Sequence, residues 1–584
     1  MLNAHRIAPR FGLDAPDDVS SGGGSASSLD RGTVLSAGFA RNALHADTSA
    51  AGGDRAASPA GDDAADLLGV FATTRAPRFS DVADVGTDLG LGTMLFGPAP
   101  HATAARSDEA ACHCWACMNS GSPDKGNGQG PNAALNADDR GGGSPSGKPS
   151  LTISEAAAQI GRANTTWNGS TLGQGAEVTY AFRSTAPTSM PNGTAGFSRF
   201  NAAQIEQATI AFQAWADVAR VTFRRVDAGD GYSNNAQMLL GNYSSGASGA
   251  AAFAYYPGSG VGGDSWYNST LSYNRAPDNL NYGGQVLIHE IGHALGLGHP
   301  GDYNAGNGSP TYANSAQYYE DTRQYTVMSY WSETNTGGNN GGYYAAAPLL
   351  DDIAAAQRLY GANTTTRTGD SVYGFNSNTG RDYYTAATSS SALIFAVWDA
   401  GGNDTLDFSG YTQTQLIDLN DGNFSNVGGL TGNVAIAAGV TIENARGGSG
   451  ADTIIGNEAA NTLYGNAGND TLIGGDGADT LYGGAGADVF RFGAISHSRA
   501  SAADRILDFT SGTDRIDLTP IDANLAAAGD QAFTRVASFT GAAGQAMVST
   551  ANGTTTIALD QNGDGTADFV LRVNGTLLSS DILL

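Results

Sequence analysis

Cysteine is almost absent from this 584-residue sequence, and its scarcity limits how the chain can be stabilised. The only three cysteines, Cys112, Cys114 and Cys117, lie within six residues of one another. The rest of the chain therefore has no disulfide bonds, and an extracellular protein without them needs another staple, for which bound metal is the obvious substitute. No run of 18 apolar residues is present, so we expect no transmembrane helix.

The sequence also shows no recognisable signal peptide, and basic residues are scarce relative to acidic ones. The N-terminal sequence MLNAHRIAPRFGLDAPDD lacks the apolar core of a secretory signal peptide, so an exported protein would leave by another route. There are 29 Lys and Arg against 56 Asp and Glu, and the formal net charge is −27. Such acidity excludes charge-driven binding to nucleic acid or to an anionic membrane and suits a chain that binds divalent cations. Glycine is abundant, at 82 residues, about twice the average share, which predicts a glycine-rich repeat or long disordered tracts.

The stretch HEIGHALGLGHP, which begins at residue 289, has the spacing of a metal site. His289 and His293 are four residues apart, so on a helix they share one face and can bind one metal ion. Glu290 points around the helix towards the same cleft, where it can act as general base towards a water on the metal. Gly296 can take a left-handed conformation and end the helix, which brings in His299 as a third nitrogen ligand.

Three histidines and a water make the open ligand set of a catalytic zinc site, and HExxHxxGxxH is the metzincin signature. The alternative is that HExxH is a chance helix segment, and the added glycine and third histidine argue against it. Further on, the segment YTVMSYW (325–331) places Met328 where metzincins have a methionine turn beneath the zinc. Tyr330 could turn its phenol towards the metal or the developing oxyanion.

The sequence around these motifs predicts an α+β domain, a mixed sheet backed by helices. Ser154 is the predicted N-cap of a short first helix. Residues 178–184 alternate as a strand does, and an amphipathic helix and two more strands follow. Residues 251–260 are interpreted as the edge strand against which a peptide substrate lies. A helix over 351–363 is predicted to close the domain.

Five nine-residue units follow one another without a gap from residue 447 to residue 491: GGSGADTII, GNEAANTLY, GNAGNDTLI, GGDGADTLY and GGAGADVFR. The glycines predict tight turns whose carbonyls face a cation, and the sixth-place Asp completes an oxygen cage suited to Ca²⁺. The apolar eighth residue points inward, so the stacked turns form an all-β parallel β-roll. The predicted calcium-binding residues are Gly447, Gly448, Gly450, Asp452, Gly465, Gly468, Asp470, Gly474, Gly475, Gly477, Asp479, Gly483, Gly484, Gly486 and Asp488.

Three related segments depart from this pattern. The second unit has Asn461 in the Asp place, so its site is expected to be weaker or absent. One isolated copy, WDAGGNDTLDFSGY, carries Asp404. The segment 560–568, DQNGDGTAD, resembles the start of an EF-hand loop, but Arg572 stands at the twelfth position where such loops have Glu, so a solvated turn is favoured.

These segments divide the chain into three parts. Residues 1–150 are a Gly-, Ala- and Ser-rich extension, predicted to be mostly disordered and interpreted as a possible pro-segment, with an inert extension as the alternative. Its cysteine cluster is either idle, or binds a metal together with His113, or provides a thiolate that caps the zinc in a latent form. Residues 151–363 form the predicted catalytic domain. Residues 364–584 form the predicted roll and C-terminal secretion-signal region.

Together, HEIGHALGLGH, YTVMSYW and the nine-residue array resemble the serralysin family of secreted bacterial zinc endopeptidases, over about residues 151–584. TWNG, WADVA, RLYGAN and WDAGGNDTLDFSG are also similar to that family's sequence. The resemblance implies hydrolysis of peptide bonds in extracellular proteins, with one catalytic zinc and several structural calcium ions. It assigns His289, His293 and His299 as zinc ligands. It assigns Glu290 as the catalytic base and Tyr330 as a switching phenol.

The resemblance also implies one-step export by a type I apparatus that reads an uncleaved C-terminal signal, to which Asp581–Leu584 is similar. We expect a secreted monomer with protein or peptide substrates, no nucleic-acid partner and no membrane insertion. The long extension and its cysteines depart from the family's short pro-segment and leave activation open. The alternative function is a calcium-dependent surface or adhesive protein with a vestigial protease domain.

Overall fold

A six-stranded mixed sheet backed by helices forms the first half of the fold, up to residue 363, and stacks of short, mostly parallel strands form most of the second. The computed structural model describes the backbone of 71–72 and residues 133–169, 171–227, 229–247, 250–303 and 310–584. All of them belong to one compact unit, Asp62–Leu584. None of the helices in these ranges is long and apolar enough to cross a membrane.

Six α-helices are present in the described ranges, and all of them end before residue 361. Their bounds are α1 Ile153–Ile160, α2 Ala202–Val218, α3 Ser272–Arg275, α4 Tyr282–Ala294, α5 Tyr312–Ser315 and α6 Leu350–Tyr360. The predicted N-cap of α1, Ser154, is wrong. Thr152 caps the helix, because its hydroxyl accepts the N–H of Glu155 while the Glu155 carboxylate accepts the N–H of Thr152.

The sheet contains β1 Phe71–Ala72, β2 Ala176–Phe182, β3 Val221–Arg225, β4 Met238–Tyr243, β5 Ala252–Ala254 and β6 Ser265–Asn268. Their order is β1-β5-β6-β4-β2-β3, and only the β5–β6 pair is antiparallel. β5 lies within the segment predicted to be the edge strand. The edge prediction is wrong, because β5 pairs in parallel with β1, which takes the edge position, and Phe71 lies opposite Phe253.

Helix α4 is buried along almost its whole length, and its packing fixes where the metal motif lies. Trp215 of α2 donates its indole N–H to the carbonyl of Ile288 at 3.1 Å. A Cβ at Gly292 would lie 2.7 Å from Met328 Sδ and 3.0 Å from the Trp215 ring. Only glycine lets both side chains pack against the helix here, and the buried Met328 is therefore directly beneath it.

The second half contains stacks of short parallel strands, followed near the C-terminus by a longer antiparallel meander that includes residues 545–574. Leu463 pairs with Leu481 and Ile454 with Leu472, so neighbouring strands of a sheet are two repeats apart. The apolar eighth residues are 0% exposed, which confirms the predicted parallel roll. The strands are β7 Val372–Gly374, β8 Phe395–Val397, β9 Thr405–Asp407, β10 Leu416–Asp418, β11 Phe424–Ser425, β12 Val434–Ile436, β13 Asn444–Arg446, β14 Thr453–Ile455, β15 Thr462–Tyr464, β16 Thr471–Ile473, β17 Thr480–Tyr482, β18 Val489–Arg491, β19 Arg505–Ile506, β20 Arg515–Asp517, β21 Thr534–Val536, β22 Gln545–Ala551, β23 Thr554–Asp560, β24 Phe569–Asn574 and β25 Ile582–Leu583.

Residues 133–150 pack on the first half, before the position at which order was predicted to begin. Arg140 makes a two-pronged ion pair with Asp351 of α6, at 2.8 and 3.0 Å, and both side chains are inaccessible to solvent. The Leu135 N–H donates to the Tyr325 phenol at 2.7 Å. The three-part division of the chain itself stays a prediction.

Candidate active site

Three imidazoles converge at the end of α4. His289 and His293 lie on the helix, and His299 follows the turn at Gly296, which has φ of +102°. A Cβ at Gly296 would collide with the carbonyl oxygen of Thr165, so the turn requires glycine. One ligand atom from each of the three histidines lies within 4.8 Å of the other two, and this is the only such group of metal-binding side chains in the described residues.

Each imidazole is held by a backbone carbonyl on its far side. The Nδ1 atoms face Val327 O at 2.8 Å, Leu297 O at 2.7 Å and Tyr303 O at 3.0 Å, for His289, His293 and His299 in turn. A carbonyl can only accept, so each Nδ1 carries the proton and each Nε2 presents a lone pair. Burial lowers the pKa of His289 to about 4, and the pKa values of the other two also fall well below the ordinary one. All three rings are therefore neutral and able to bind metal at neutral pH.

The spacing of these lone pairs suits zinc. The Nε2 atom of His299 lies 3.1 Å from that of His293 and 3.3 Å from that of His289. Three deprotonated nitrogens so close together have no proton to share between them. A tetrahedral centre with bonds of about 2.05 Å places its ligand atoms about 3.3 Å apart, so the donor set and its geometry fit Zn²⁺.

Glu290 is fully buried, and neither carboxylate oxygen has a hydrogen-bond partner in the described part of the chain. Burial raises its pKa well above the ordinary value. An unpaired buried carboxylate is costly, and such a group in a native fold points to a ligand or a chemical role. No hydrogen bond within the described residues therefore engages this acid.

Tyr330 stands beside the histidines. Its ring centroid is 4.5 Å from that of His299 and 6.2 Å from that of His289. Its pKa is raised well above the ordinary value, first by burial and then by the Glu290 carboxylate. The phenol of Tyr330 therefore keeps its proton. It is also close enough to Glu290 for the charge of that carboxylate to affect its pKa.

The predicted calcium residues come together in the roll. The glycines lie in the turns before β14, β16, β17 and β18. Asp470, Asp479 and Asp488 are each 1% exposed, and one oxygen of each has no partner. A Cβ at Gly465 would lie 2.5 Å from both Asp470 Oδ2 and the Gly483 carbonyl. That small space, bordered by oxygens and open only because the residue is glycine, fits a hard cation.

The first two units differ from the others. Asp452 has both oxygens bonded, since Oδ1 accepts from Gln415 N–H at 2.8 Å and Oδ2 from Gly448 N–H at 2.6 Å. Asn461 is also satisfied, because its oxygen accepts from Asn457 N–H and its amide donates to Glu443 O. Neither side chain leaves a buried oxygen without a partner.

Further carboxylates that the nine-residue period did not reveal extend these rows. The Asp479 N–H donates to Asp504 at 2.8 Å, and the Asp488 N–H donates to Asp514 at 3.1 Å. The second oxygen of Asp504 has no partner, and the same holds for Asp404 in the isolated copy. Asp504 and Asp514 are each followed two residues later by a buried isoleucine, as the Asp of every repeat is followed by an apolar residue. An Asp followed two residues later by an apolar residue, even without the repeat's glycines, could have identified these two carboxylates from the sequence.

Two other predicted features have different outcomes. In the EF-hand-like loop, Asp560 accepts the N–H groups of Gly563 and Gly565 and is buried. Its carboxylate is therefore satisfied by the turn itself. The cysteine cluster at residues 112–117 lies outside the described residues.

The fold and the histidine geometry define a metzincin-type zinc peptidase followed by a β-roll. Residues 176–318 match the Matrixin family, and residues 362–584 match the family described as Peptidase M10 serralysin C terminal. Metallopeptidase AprA of Pseudomonas marginalis is 55% identical over 76% of this chain and 94% of its own length. Serralysin C of Dickeya chrysanthemi is 53% identical over 74% of this chain and 89% of its own length.

The chain belongs to the serralysin-type M10 metallopeptidases. It is a secreted zinc endopeptidase that acts on proteins. The prediction of an enzyme is therefore confirmed, against the alternative of an adhesive protein with a vestigial protease domain. Among solved structures, the AlgE6R3 subunit of the Azotobacter vinelandii mannuronan C5-epimerase aligns with 25% of this chain and 81% of its own, at 28% identity and a TM-score of 0.19. A score this low does not inform the fold.

Proposed function

We propose that His289, His293 and His299 hold the catalytic zinc and that Glu290 is the general base of peptide-bond hydrolysis. The observation that carries this proposal is the pairing of three Nε2 lone pairs aimed at one point with a buried carboxylate that has no partner. Zinc, when bound there, supplies a Lewis acid that lowers the pKa of water to about 7 and polarises the scissile carbonyl.

The protein's own groups then move the protons. Glu290 accepts the proton of the attacking water and passes it to the departing amine. The carboxylate form accepts the first proton and the protonated form gives up the second, so the acid returns to its starting state after each cycle. Tyr330 keeps its phenolic proton and donates a hydrogen bond to the oxyanion that develops on the substrate. The three histidines are already neutral at neutral pH, so they can bind zinc without releasing protons.

The substitution Glu290→Ala tests these assignments. We expect the variant to bind one equivalent of zinc, measured by mass spectrometry of the metal, and to lose casein cleavage by about 10²–10⁴-fold, the contribution of a positioned general base. Glu206→Ala, which removes an exposed acid from α2, is the matched control and should retain full activity. Comparable cleavage by Glu290→Ala would refute the proposal.

We also propose that the roll binds several calcium ions and is stabilised by them. Support comes from the unpartnered oxygens of Asp470, Asp479 and Asp488, each buried next to a turn glycine. Asp452 and its glycines form the first turn of the same row. Calcium sites of extracellular modules have dissociation constants of about 10⁻⁴–10⁻³ M, so the roll would be loaded outside the cell and empty in the cytosol.

Export by a type I apparatus is proposed from the resemblance of residues 581–584 to the family's terminal motif. Fusing the roll and this segment to a reporter, with and without a type I exporter, would test the route. The monomeric state stays a prediction, which light scattering of the calcium-loaded protein would check.

A further inference from the structure

Asp321 is a fully buried carboxylate that takes no part in the proposed proton transfers. It is 0% exposed. Its Oδ1 accepts hydrogen bonds from the hydroxyls of Tyr303 and Ser329, both at 2.7 Å. Its Oδ2 accepts the indole N–H of Trp331 at 3.2 Å. A buried carboxylate bonded in this way restrains all three donor side chains at once.

Tyr303 connects this carboxylate to the third histidine. The Tyr303 carbonyl accepts the Nδ1 proton of His299 at 3.0 Å, and its ring stacks on the imidazole with centroids 5.4 Å apart and an interplanar angle of 13°. The phenol end of the side chain is held by Asp321. The imidazole is therefore oriented by a residue that is itself fixed at both its backbone and its side chain.

Ser329 and Trp331 connect the same carboxylate to Tyr330, which lies between them in sequence. Both are buried, and the backbone N–H of Trp331 donates to the Ser329 hydroxyl at 3.1 Å. The chain is therefore held to Asp321 immediately before and immediately after Tyr330. The Tyr330 ring in turn lies 5.0 Å from that of Tyr303. One carboxylate thus sets the distance between the segment that carries His299 and the segment that carries Tyr330.

We propose that Asp321 is a positioning residue, which holds the imidazole of His299 and the phenol of Tyr330 in the geometry that catalysis requires. This inference rests on the proposed function, since it takes His299 as a zinc ligand and Tyr330 as the oxyanion donor. Carboxylates near metal sites commonly accept the imidazole N–H directly. Here a backbone carbonyl accepts that proton, and the carboxylate acts one residue further from the metal.

Asp321→Asn in the full-length enzyme is the first test. The amide keeps the size of the side chain but presents N–H where an acceptor is needed, so at least one of the three donors loses its partner. We expect the zinc dissociation constant, measured by chelator competition, to rise by about 10–100-fold, the usual range for groups that support metal ligands. With zinc saturating, kcat should fall while KM stays within about twofold, because the oxyanion is stabilised only in the transition state.

Asp217→Asn is the matched control. Asp217 is also a mostly buried carboxylate, and it binds Arg367 and Arg381 at the junction with the roll. Its loss should lower the thermal midpoint without changing zinc affinity or kcat at an equal folded fraction. If Asp321→Asn behaves in the same way as this control, the positioning role is overturned.

The two connections can also be separated by smaller changes that leave the carboxylate in place, which covers the case in which Asp321→Asn fails to fold. Tyr303→Phe should weaken zinc binding, and Ser329→Ala should lower kcat with zinc saturating. In a double-mutant cycle, Ser329→Ala should cost less in a Tyr330→Phe background, because the phenol it positions is gone. Full additivity, with unchanged zinc affinity in Tyr303→Phe, would overturn the inference.

The outcomes separate this inference from the proposed function. An active Glu290→Ala variant would remove the assigned chemistry, and the positioning role would fall with it. An inactive Glu290→Ala variant together with an Asp321→Asn variant that matches the Asp217→Asn control would leave the chemistry intact and remove only the positioning role.

Discussion

Asp452 donates its backbone N–H to Oδ1 of Asp470, 18 residues further along the chain, at 2.8 Å. Asp470 repeats this bond to Asp488 at 2.9 Å, and Asn461 repeats it to Asp479 at 2.8 Å. One oxygen of each carboxylate therefore holds two turns together, and the other is left for a cation. Calcium binding and the contact between turns thus depend on the same side chains.

The first prediction concerns one of these carboxylates. Asp470→Asn keeps an oxygen for the Asp452 N–H but replaces the free oxygen with an amide and removes a charge. We expect the calcium concentration that half-folds the roll to rise by about 10-fold, equivalent to about 1.4 kcal/mol of lost binding. Circular dichroism during a calcium titration measures it. The exposed Asp530→Asn carries the same charge change and should leave the curve in place; equal curves for both variants would contradict the assigned site.

The second prediction concerns pH without calcium. Burial raises the pKa of Asp470 to about 7, and it raises the pKa values of Asp452 and Asp488 in the same direction. An unfolded aspartate titrates near about 3.9. Between these values the folded roll holds protons that the unfolded chain has released, so its stability falls as pH rises from about 4 to about 7.

In a calcium chelator, the roll should therefore be better protected at pH 5 than at pH 8, which hydrogen exchange of peptides from residues 447–491 would show. Saturating calcium should remove this trend, because the cation replaces the protons on the carboxylates. Greater protection at pH 8 in the chelator would be inconsistent with the burial of these acids.

The third prediction concerns the phenol beside the metal site. Tyr330→Phe removes one donor to the oxyanion and leaves the ring in contact with His299. The loss of such a donor costs about 10²–10³ in kcat. We expect a fall of this size with KM and zinc content little changed, measured by steady-state cleavage of a peptide. Tyr343→Phe, at a phenol 44% exposed, is the control; an unchanged kcat for Tyr330→Phe would exclude the oxyanion role.

The fourth prediction concerns the ion pair between Arg140 and Asp351. Arg140→Ala leaves a charge buried without its partner, which typically costs about 3–5 kcal/mol. We expect a loss of this size in the free energy of unfolding, measured by urea titration followed by tryptophan fluorescence. Arg224→Ala breaks an ion pair with Glu177 in which both side chains are mostly exposed, and it should cost about 0–1 kcal/mol. Equal costs would show that the buried pair has no special weight.

The periodic parts of the sequence predicted the fold because geometry alone decides them. Spacing on a helix and one glycine turn are enough to bring His289, His293 and His299 together. The nine-residue period likewise determines the roll. The N-cap of α1 was mispredicted because Thr152 and Ser154 are both good caps, and only the return bond from Glu155 distinguishes them.

Contacts between distant segments had no such signal. Arg140 and Asp351 are 211 residues apart, and nothing in either local sequence indicates the partner. The local sequence does not indicate the role of Asp321 either. An aspartate in a polar stretch is expected to be exposed to solvent, and only the structure shows its three hydrogen-bond donors. These contacts depend on how separate segments pack, which periodicity and spacing do not report.

The Arg140 pair would also limit any proteolytic removal of the N-terminal residues. Besides Asp351, the same guanidinium lies 3.9 Å from the buried Glu320. A processing protease that trimmed the chain beyond residue 140 would strand two acids in the interior with no cation nearby. If the N-terminal part is removed as a pro-segment, we therefore expect every cut to lie upstream of that arginine, which mass spectrometry of the mature N-terminus would check.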